Sequence, residues 1–224
     1  LESGPPRHAI RKMETVATLP LVIAPRSQRT TPSANKHEPA EGAAPEKATP
    51  AGRTFVTAIV ETFGAAGIAD IVVVTGRDHD RIVEALATAR LPVPARIARN
   101  VNPSRGQLSS LLTGMDASVT SDTQGVVVTL VDVPLLAAET VRLVVSEWQR
   151  TRAPIVRPAI GDRHGHPVIF DRVLFDELRH APFDTGAKSV VRAHEHEIVN
   201  VPVDDEGCVR DVDTPSDYEE MRGE

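Results

Sequence analysis

The sequence predicts an α/β chain with three layers, a doubly wound and mostly parallel sheet between two layers of helices. Two observations carry this. Ile71-Val72-Val73-Val74 and Val126-Val127-Val128-Thr129-Leu130-Val131 are runs of mostly β-branched residues with no polar alternation, as in strands covered on both faces. Between such runs lie segments with apolar residues at helical spacing, and alternating strands and helices build parallel sheets. With 224 residues, one domain is expected over residues 19–224, preceded by a tail or appended segment at 1–18 and interrupted by a loop insertion at about 26–53.

The elements follow in order. Leu19 to Ala24 is the first strand. Arg26 to Arg53 is rich in Pro, Ala, Thr, Ser and Glu and shows neither period, so it reads as a long loop. Eight of the 18 prolines and no aromatic residue precede Phe55, which supports that boundary. Phe55, Val56, Ile59, Val60 and Phe63 form a helix face, and Gly64 and Gly67 mark its end. Ile71 to Val74 is a strand that turns at Thr75-Gly76. Helices are expected at Arg81 to Ala89, Gln107 to Ala117 and Ala138 to Gln149, and a strand at Ala95 to Ala98. Ile155-Val156, Val168-Ile169-Phe170 and Ile198 to Val203 are further strands. Short helices are expected near 171–180, 186–193 and 215–221.

Composition narrows the function classes. The net charge is −6, which argues against a general nucleic-acid binder. Residues 1–53 carry +3 and the rest −9, so a basic start precedes an acidic body. Cys208 is the sole cysteine, which excludes an intrachain disulfide framework and a Cys-based zinc cluster; it reads as a turn-flanking residue. No uncharged apolar run reaches the roughly 18 residues of a membrane helix, and Leu19 to Ala24 is too short for a signal-peptide core. A cytoplasmic protein without membrane or nucleic-acid partners is expected.

Ligands of open parallel sheets bind beyond the carboxyl ends of the strands, which selects the chain after Ala24, after Thr75 and after Val131. Asp132 in Val131-Asp132-Val133-Pro134 stands at the tip of the strand expected at the centre. A buried, unpaired carboxylate there costs several kcal/mol, so a metal or a helix-capping role explains it. Asp211-Val212-Asp213-Thr214-Pro215 places two carboxylates on one side of an extended segment, of which a helix start needs one. Mg²⁺ is held by one or two carboxylates together with phosphate oxygens, and Asp132 with Asp213 forms a candidate pair. Asn102-Pro103-Ser104-Arg105-Gly106-Gln107-Leu108-Ser109-Ser110 offers a close backbone approach at Gly106 and polar groups at a helix start, suited to a base or ribose. His166, in His164-Gly165-His166, is a candidate substrate contact. The spacing of His194 and His196 does not fit a zinc-protease helix, and these two read as a solvated helix end. Neither a phosphate-binding P-loop nor a dinucleotide fingerprint occurs in the sequence.

Four motifs taken together carry a resemblance: Asn-Pro-x-x-Gly-Gln-Leu-Ser-Ser-Leu, Val-Asp-x-Pro-Leu-Leu, Gly-His-Pro-Val and Asp-x-Asp-Thr-Pro-x-Asp-Tyr. In this order, over roughly Arg53 to Met221, the chain resembles the MobA-like nucleotidyltransferases, and within them most nearly the cytidylyltransferases of molybdenum cofactor. The resemblance implies a Rossmann-like nucleotidyltransferase fold, a nucleoside triphosphate (CTP favoured), Mg²⁺, and a phosphorylated acceptor such as the molybdopterin form of molybdenum cofactor. A molybdoenzyme apoprotein is a further partner that it implies. Asp132 and Asp213 match the metal-binding aspartates. Gly106, Gln107, Ser109 and Ser110 match the segment near the nucleotide, and His166 matches the loop bordering the acceptor.

The first strand departs from the family pattern. Where the family carries Leu-Ala-Ala-Gly-x-Ser-x-Arg-Met-Gly, this chain reads Val22-Ile23-Ala24-Pro25-Arg26-Ser27-Gln28-Arg29-Thr30-Thr31. Ala24, Ser27 and Arg29 keep register with the nucleotide-binding positions. Pro25 replaces a glycine and removes one N–H from the phosphate loop. A hydrogen bond to a charged group contributes about 1.5–3 kcal/mol, so nucleotide binding would weaken roughly ten- to a hundredfold. The family's phosphate lysine maps to Lys47, with Lys36 as the alternative. These departures keep a second reading open, a catalytically impaired relative that binds a cofactor or partner, and a third is a nucleotidyltransferase with another base or acceptor.

Overall fold

In a computed structural model, the described residues are 21–24 and 53–212, with 217, 219 and 220. The strands are β1 Leu21–Ala24, β2 Ile71–Thr75, β3 Ala95–Arg99, β4 Gly125–Leu130, β5 Ile155–Ile160, β6 Arg163–His164, β7 Val168–Asp171 and β8 Ile198–Pro202. The helices are α1 Phe55–Ala65, α2 His79–Thr88, α3 Gln107–Ser118, α4 Ala138–Thr151, α5 Phe175–His180 and α6 Ala187–Ala193. All form around one sheet in the order β3-β2-β1-β4-β7-β5-β6, with β8 beside β5.

The strand runs behave as expected for a doubly covered sheet. Val73 and Val127 pack with Val56, Ile59, Phe63, Val141, Val144 and Trp148, so α1 and α4 cover one face. Val72, Val74, Val126 and Val128 pack with Leu108, Leu111, Met115, Phe175 and Leu178, so α3 and α5 cover the other. Every residue of β2 and of β4 is buried, which is why neither strand shows polar alternation.

Pairing is parallel between β1 and β2, β1 and β4, β2 and β3, and β5 and β8. It is antiparallel where β7 enters between β4 and β5, and where β6 folds back on β5. The α/β three-layer expectation holds, with a parallel first half and a mixed second half. Short connections explain the mixture, because Gly161-Asp162 joins β5 to β6 and two residues suffice only for a hairpin. The left-handed φ of +57° at Gly161 supplies that turn.

Two side-chain devices fix α4. Ala137 offers no capping side chain, and Asp205 supplies the acceptor instead: its Oδ2 takes the Ala137 N–H at 2.9 Å and the Thr140 hydroxyl at 2.7 Å. At the far end Trp148 is fully buried and donates from Nε1 to Asp171 Oδ2 at 3.0 Å. Arg152 lies 4.2 Å above the indole and pairs with the same carboxylate. The expected loop at 26–53 lies largely outside the described residues, as does the tail at 1–18.

Candidate active site

A cleft of about 590 Å³ opens on the face covered by α3, α5 and α6. Its apolar part includes Val128 and Leu130 of β4, Ile155 of β5 and Phe170 of β7. Its polar groups include Gln107, Arg157, His166, Lys188 and Asp211. Candidates from three separate sequence motifs therefore share one space: Gly106 and Gln107, His166, and the segment leading to Asp213.

Gly106 ends a short turn at Pro103–Arg105 and has φ +89°, a backbone state that glycine adopts without strain. Helix α3 starts at the next residue without a capping side chain, so its first-turn amides lack a side-chain acceptor at the cleft wall. Beside this wall Arg105 stacks 3.7 Å from the ring centroid of Phe183. Ser109 and Ser110 stand in the first turn but face inward, at 8% and 2% exposure. Asn100 donates from Nδ2 to both hydroxyls at 2.8 and 3.0 Å, and its Oδ1 accepts from the Asn102 amide. These serines hold the loop behind the cleft.

Thr75 is also withdrawn. It is fully buried, its hydroxyl shares a 2.8 Å hydrogen bond with His79 Nδ1, and its carbonyl accepts from the Asn100 amide. Ala24, the last residue of β1, is in parallel register with Leu130 of β4. Ser27, Arg29, Lys36 and Lys47 lie outside the described residues.

His166 is held from below. Its amide donates to the Cys208 carbonyl at 2.8 Å, and Nδ1 lies 3.4 Å from the Val128 carbonyl. Packing around the ring pushes the imidazole below its ordinary proton affinity, against the opposing pull of the Val128 carbonyl and the Asp211 carboxylate. A neutral ring results near pH 7, able to donate at one nitrogen and accept at the other. Gly165 makes this approach possible, since a Cβ there would lie 2.1 Å from the Cys208 carbonyl oxygen. Cys208 is not merely turn-flanking. It is fully buried within the turn Glu206–Cys208, and burial pushes its thiol up to about 11. A thiol in that state is a packing group, not a nucleophile.

Asp132 is 1% exposed. The capping alternative raised for it falls to Asp205, which serves the start of α4. The Asp132 carbonyl accepts from the Val212 amide at 2.8 Å, and Val212 is fully buried. Thus the segment whose Asp211 lines the cleft crosses the tip of β4 at Asp132. Asp213, the other expected metal ligand, lies outside the described residues. His194 is more than a solvated helix end, because its two ring nitrogens lie 2.7 Å from Glu177 Oε2 and Glu197 Oε1. Among the described residues, no three or more His, Cys, Asp or Glu gather as a metal cluster, and no helix is long and apolar enough to cross a membrane.

The sequence signature of the MobA-like NTP transferase domain matches residues 47–198, more than half of the chain. The chain belongs to the MobA-like NTP transferase family. No curated protein sequence matches it significantly. Solved structures share the family's fold. Rv0371c from Mycobacterium tuberculosis H37Rv is 24% identical, with a TM-score of 0.69 over 94% of this chain and all of that one; a manganese complex of the same protein also superposes, at TM-score 0.63 over 93% and 100% and 23% identity. Molybdopterin-guanine dinucleotide biosynthesis protein A from Archaeoglobus fulgidus is 15% identical, with a TM-score of 0.61 over 92% and 96%. A 4-diphosphocytidyl-2C-methyl-D-erythritol synthase from Anaerococcus prevotii is 13% identical, with a TM-score of 0.66 over 92% and 98%.

Arg157 and Asp205 were missed in the sequence. Arg157 interrupts an apolar strand, which was the available signal. Asp205 acts across 68 residues, and no local pattern announces such a cap.

Proposed function

We propose that this protein transfers a nucleotidyl group from a nucleoside triphosphate, CTP favoured, to a phosphorylated acceptor such as the molybdopterin form of molybdenum cofactor. An acceptor phosphate oxygen attacks the α-phosphorus, the bond from that phosphorus to the bridging oxygen breaks, and pyrophosphate leaves. The observation that supports the reading most is the Val212–Asp132 hydrogen bond, made by the residue just before the Asp-Thr-Pro motif and by the aspartate of the Asp-x-Pro motif.

Residues at this place fit a divalent cation by their chemistry. Asp132 offers hard oxygen donors at a buried strand end whose helix is capped by another residue, and carboxylates with phosphate oxygens suit Mg²⁺ or Mn²⁺. Asp132 and Asp213 would hold it. When bound, such an ion withdraws charge from the phosphoryl oxygens. Manganese in the Rv0371c complex supports a divalent cation here.

The protein's own groups position and neutralise. Gly106 and the first turn of α3, with Gln107, meet the nucleotide; Ser109, Ser110 and Thr75 keep that loop in place. Arg29 and Lys47, with Ala24 and Ser27, serve the triphosphate. Neutral His166 contacts the acceptor. Cytoplasmic placement belongs to the same reading. The second reading, an impaired relative that binds a cofactor or partner, is favoured by Pro25, which leaves the phosphate loop one N–H short.

Incubation with CTP, GTP or ATP plus Mg²⁺ and acceptor tests the proposal. Pyrophosphate release, fastest with CTP, is expected. Absence of nucleotide binding at millimolar concentration would favour the impaired relative.

A further inference from the structure

We infer that Arg157 is the specificity-determining residue of the cleft, reading an anionic group on a substrate whose body is apolar and ring-sized. The inference rests on the reading that the part of the cleft at His166 takes the acceptor, and it adds the residue that recognises the acceptor's charge.

Arg157 is the third residue of β5, and strand alternation puts it on the same face as Ile155; both line the cleft. It stands in parallel register with Asn200 of β8, and its Nε donates to Asn200 Oδ1 at 2.9 Å. That bond uses one of the five guanidinium N–H groups and fixes the plane of the fork. The terminal nitrogens make no hydrogen bond or ion pair among the described residues, although Asp184 and Asp211 line the same cleft.

The guanidinium is partly buried and has no paired carboxylate among the described residues. Partial burial lowers the proton affinity of Arg157, and only the longer-range attraction of Glu195 opposes this. The field of the same cation reaches His164 on β6, whose proton affinity is lowered by burial first and by Arg157 second. A ligand anion removes the imbalance, and a planar fork matches phosphate or carboxylate through two parallel bonds. Around it, the buried side chains of Val128, Leu130, Ile155 and Phe170 form an apolar floor, and the exposed ring of Phe183 stands on the wall for an apolar body. A phosphate monoester carried on a ring system satisfies both halves.

The test is equilibrium binding of 1-naphthyl phosphate, and of 1-naphthol as its uncharged counterpart, to the full chain and to Arg157→Gln and Arg157→Lys. Arg157→Gln is expected to weaken the phosphate tenfold or more and to leave naphthol within about twofold. Arg157→Lys, which keeps the charge and loses the fork, is expected to fall between. Equal phosphate affinity in wild type and Arg157→Gln, no phosphate binding by wild type, or equal losses for both probes overturns the assignment. CTP with Mg²⁺ is titrated against the same proteins. If CTP fails to bind while the two naphthyl probes still discriminate, Arg157 stands and nucleotidyl transfer falls; if CTP binds and the probes do not discriminate, only the role of Arg157 falls.

Discussion

The amide of Val212 donates to the carbonyl oxygen of Asp132 at 2.8 Å, across 80 residues of sequence. Both residues are buried, so the contact is made inside the fold, where a backbone hydrogen bond left unmade would cost about 1–3 kcal/mol. It fixes where the C-terminal acidic segment crosses the tip of β4. Two aspartates near this crossing have different roles, since Asp205 caps α4 and Asp132 does not.

Asp205→Ala is therefore expected to destabilise the protein by about 0.5–2 kcal/mol, as loss of a helix cap does, with turnover at temperatures well below the melt kept within a few-fold. Urea unfolding read by circular dichroism, alongside pyrophosphate release, checks both halves. An unchanged midpoint would show that α4 does not depend on this acceptor.

Gly165→Ala should act through sterics alone. The added Cβ would meet the Cys208 carbonyl oxygen at 2.1 Å and its carbonyl carbon at 2.7 Å, and backbone cannot yield as the end of a flexible side chain can. A loss of about 1–3 kcal/mol is expected, typical of overpacking, with weaker binding in the cleft because His166 moves with its loop. Thermal melting of the alanine variant within 1 °C or so of wild type would contradict this close approach.

Asn100→Ala removes the donor that serves Ser109 and Ser110 and the acceptor for Asn102. Because Asn100 is 5% exposed, the groups left behind stay dry, and about 1–3 kcal/mol should be lost. If those serines instead serve the nucleotide directly, Ser110→Ala will reduce CTP affinity without lowering the melting temperature, and the two outcomes are told apart by titration and calorimetry.

His194 gives the stability a dependence on pH. The hydrogen bonds to Glu177 and then Glu197 raise the imidazole's proton affinity above its ordinary value. The folded state thus binds this proton more tightly than the unfolded chain does. The stabilisation is complete below the unfolded value of about 6.5 and is lost as pH rises through the folded value. The melting-temperature gap between wild type and His194→Gln should be widest near about pH 6 and narrow towards about pH 9. His164 and His166 shift in the opposite sense, but they are common to both proteins and cancel in the difference. A gap that stays constant over this range would remove His194 as the source.

Much of this architecture was legible in the chain. Val126 to Val131 announced a central strand because burial on both faces forbids polar alternation, and Val141, Val144 and Trp148 announced the inner face of α4. The antiparallel half was not legible as such: β6 is two residues long, and the direction of β7 depends on a turn at Gly161 instead of on any apolar period. In the site, Gly106, Gln107 and His166 reach the cleft from their motifs. Thr75, Ser109 and Ser110 do not, because Asn100 and His79 take their hydroxyls, and spacing along a chain cannot reveal a partner that arrives from another element. Asp205 and Arg157 escaped for the same reason, the first meeting α4 from far along the sequence and the second defined by the strand beside it.

Asp132 is proposed to act on a metal–nucleotide complex. Asp132→Asn, assayed for CTP-dependent pyrophosphate release with Mg²⁺ and for thermal unfolding, tests this most directly. Turnover is expected to fall by about a hundredfold or more while the melting temperature stays within about 3 °C of wild type. Full turnover in the asparagine protein, or a collapse of stability that accounts for the loss, would contradict it.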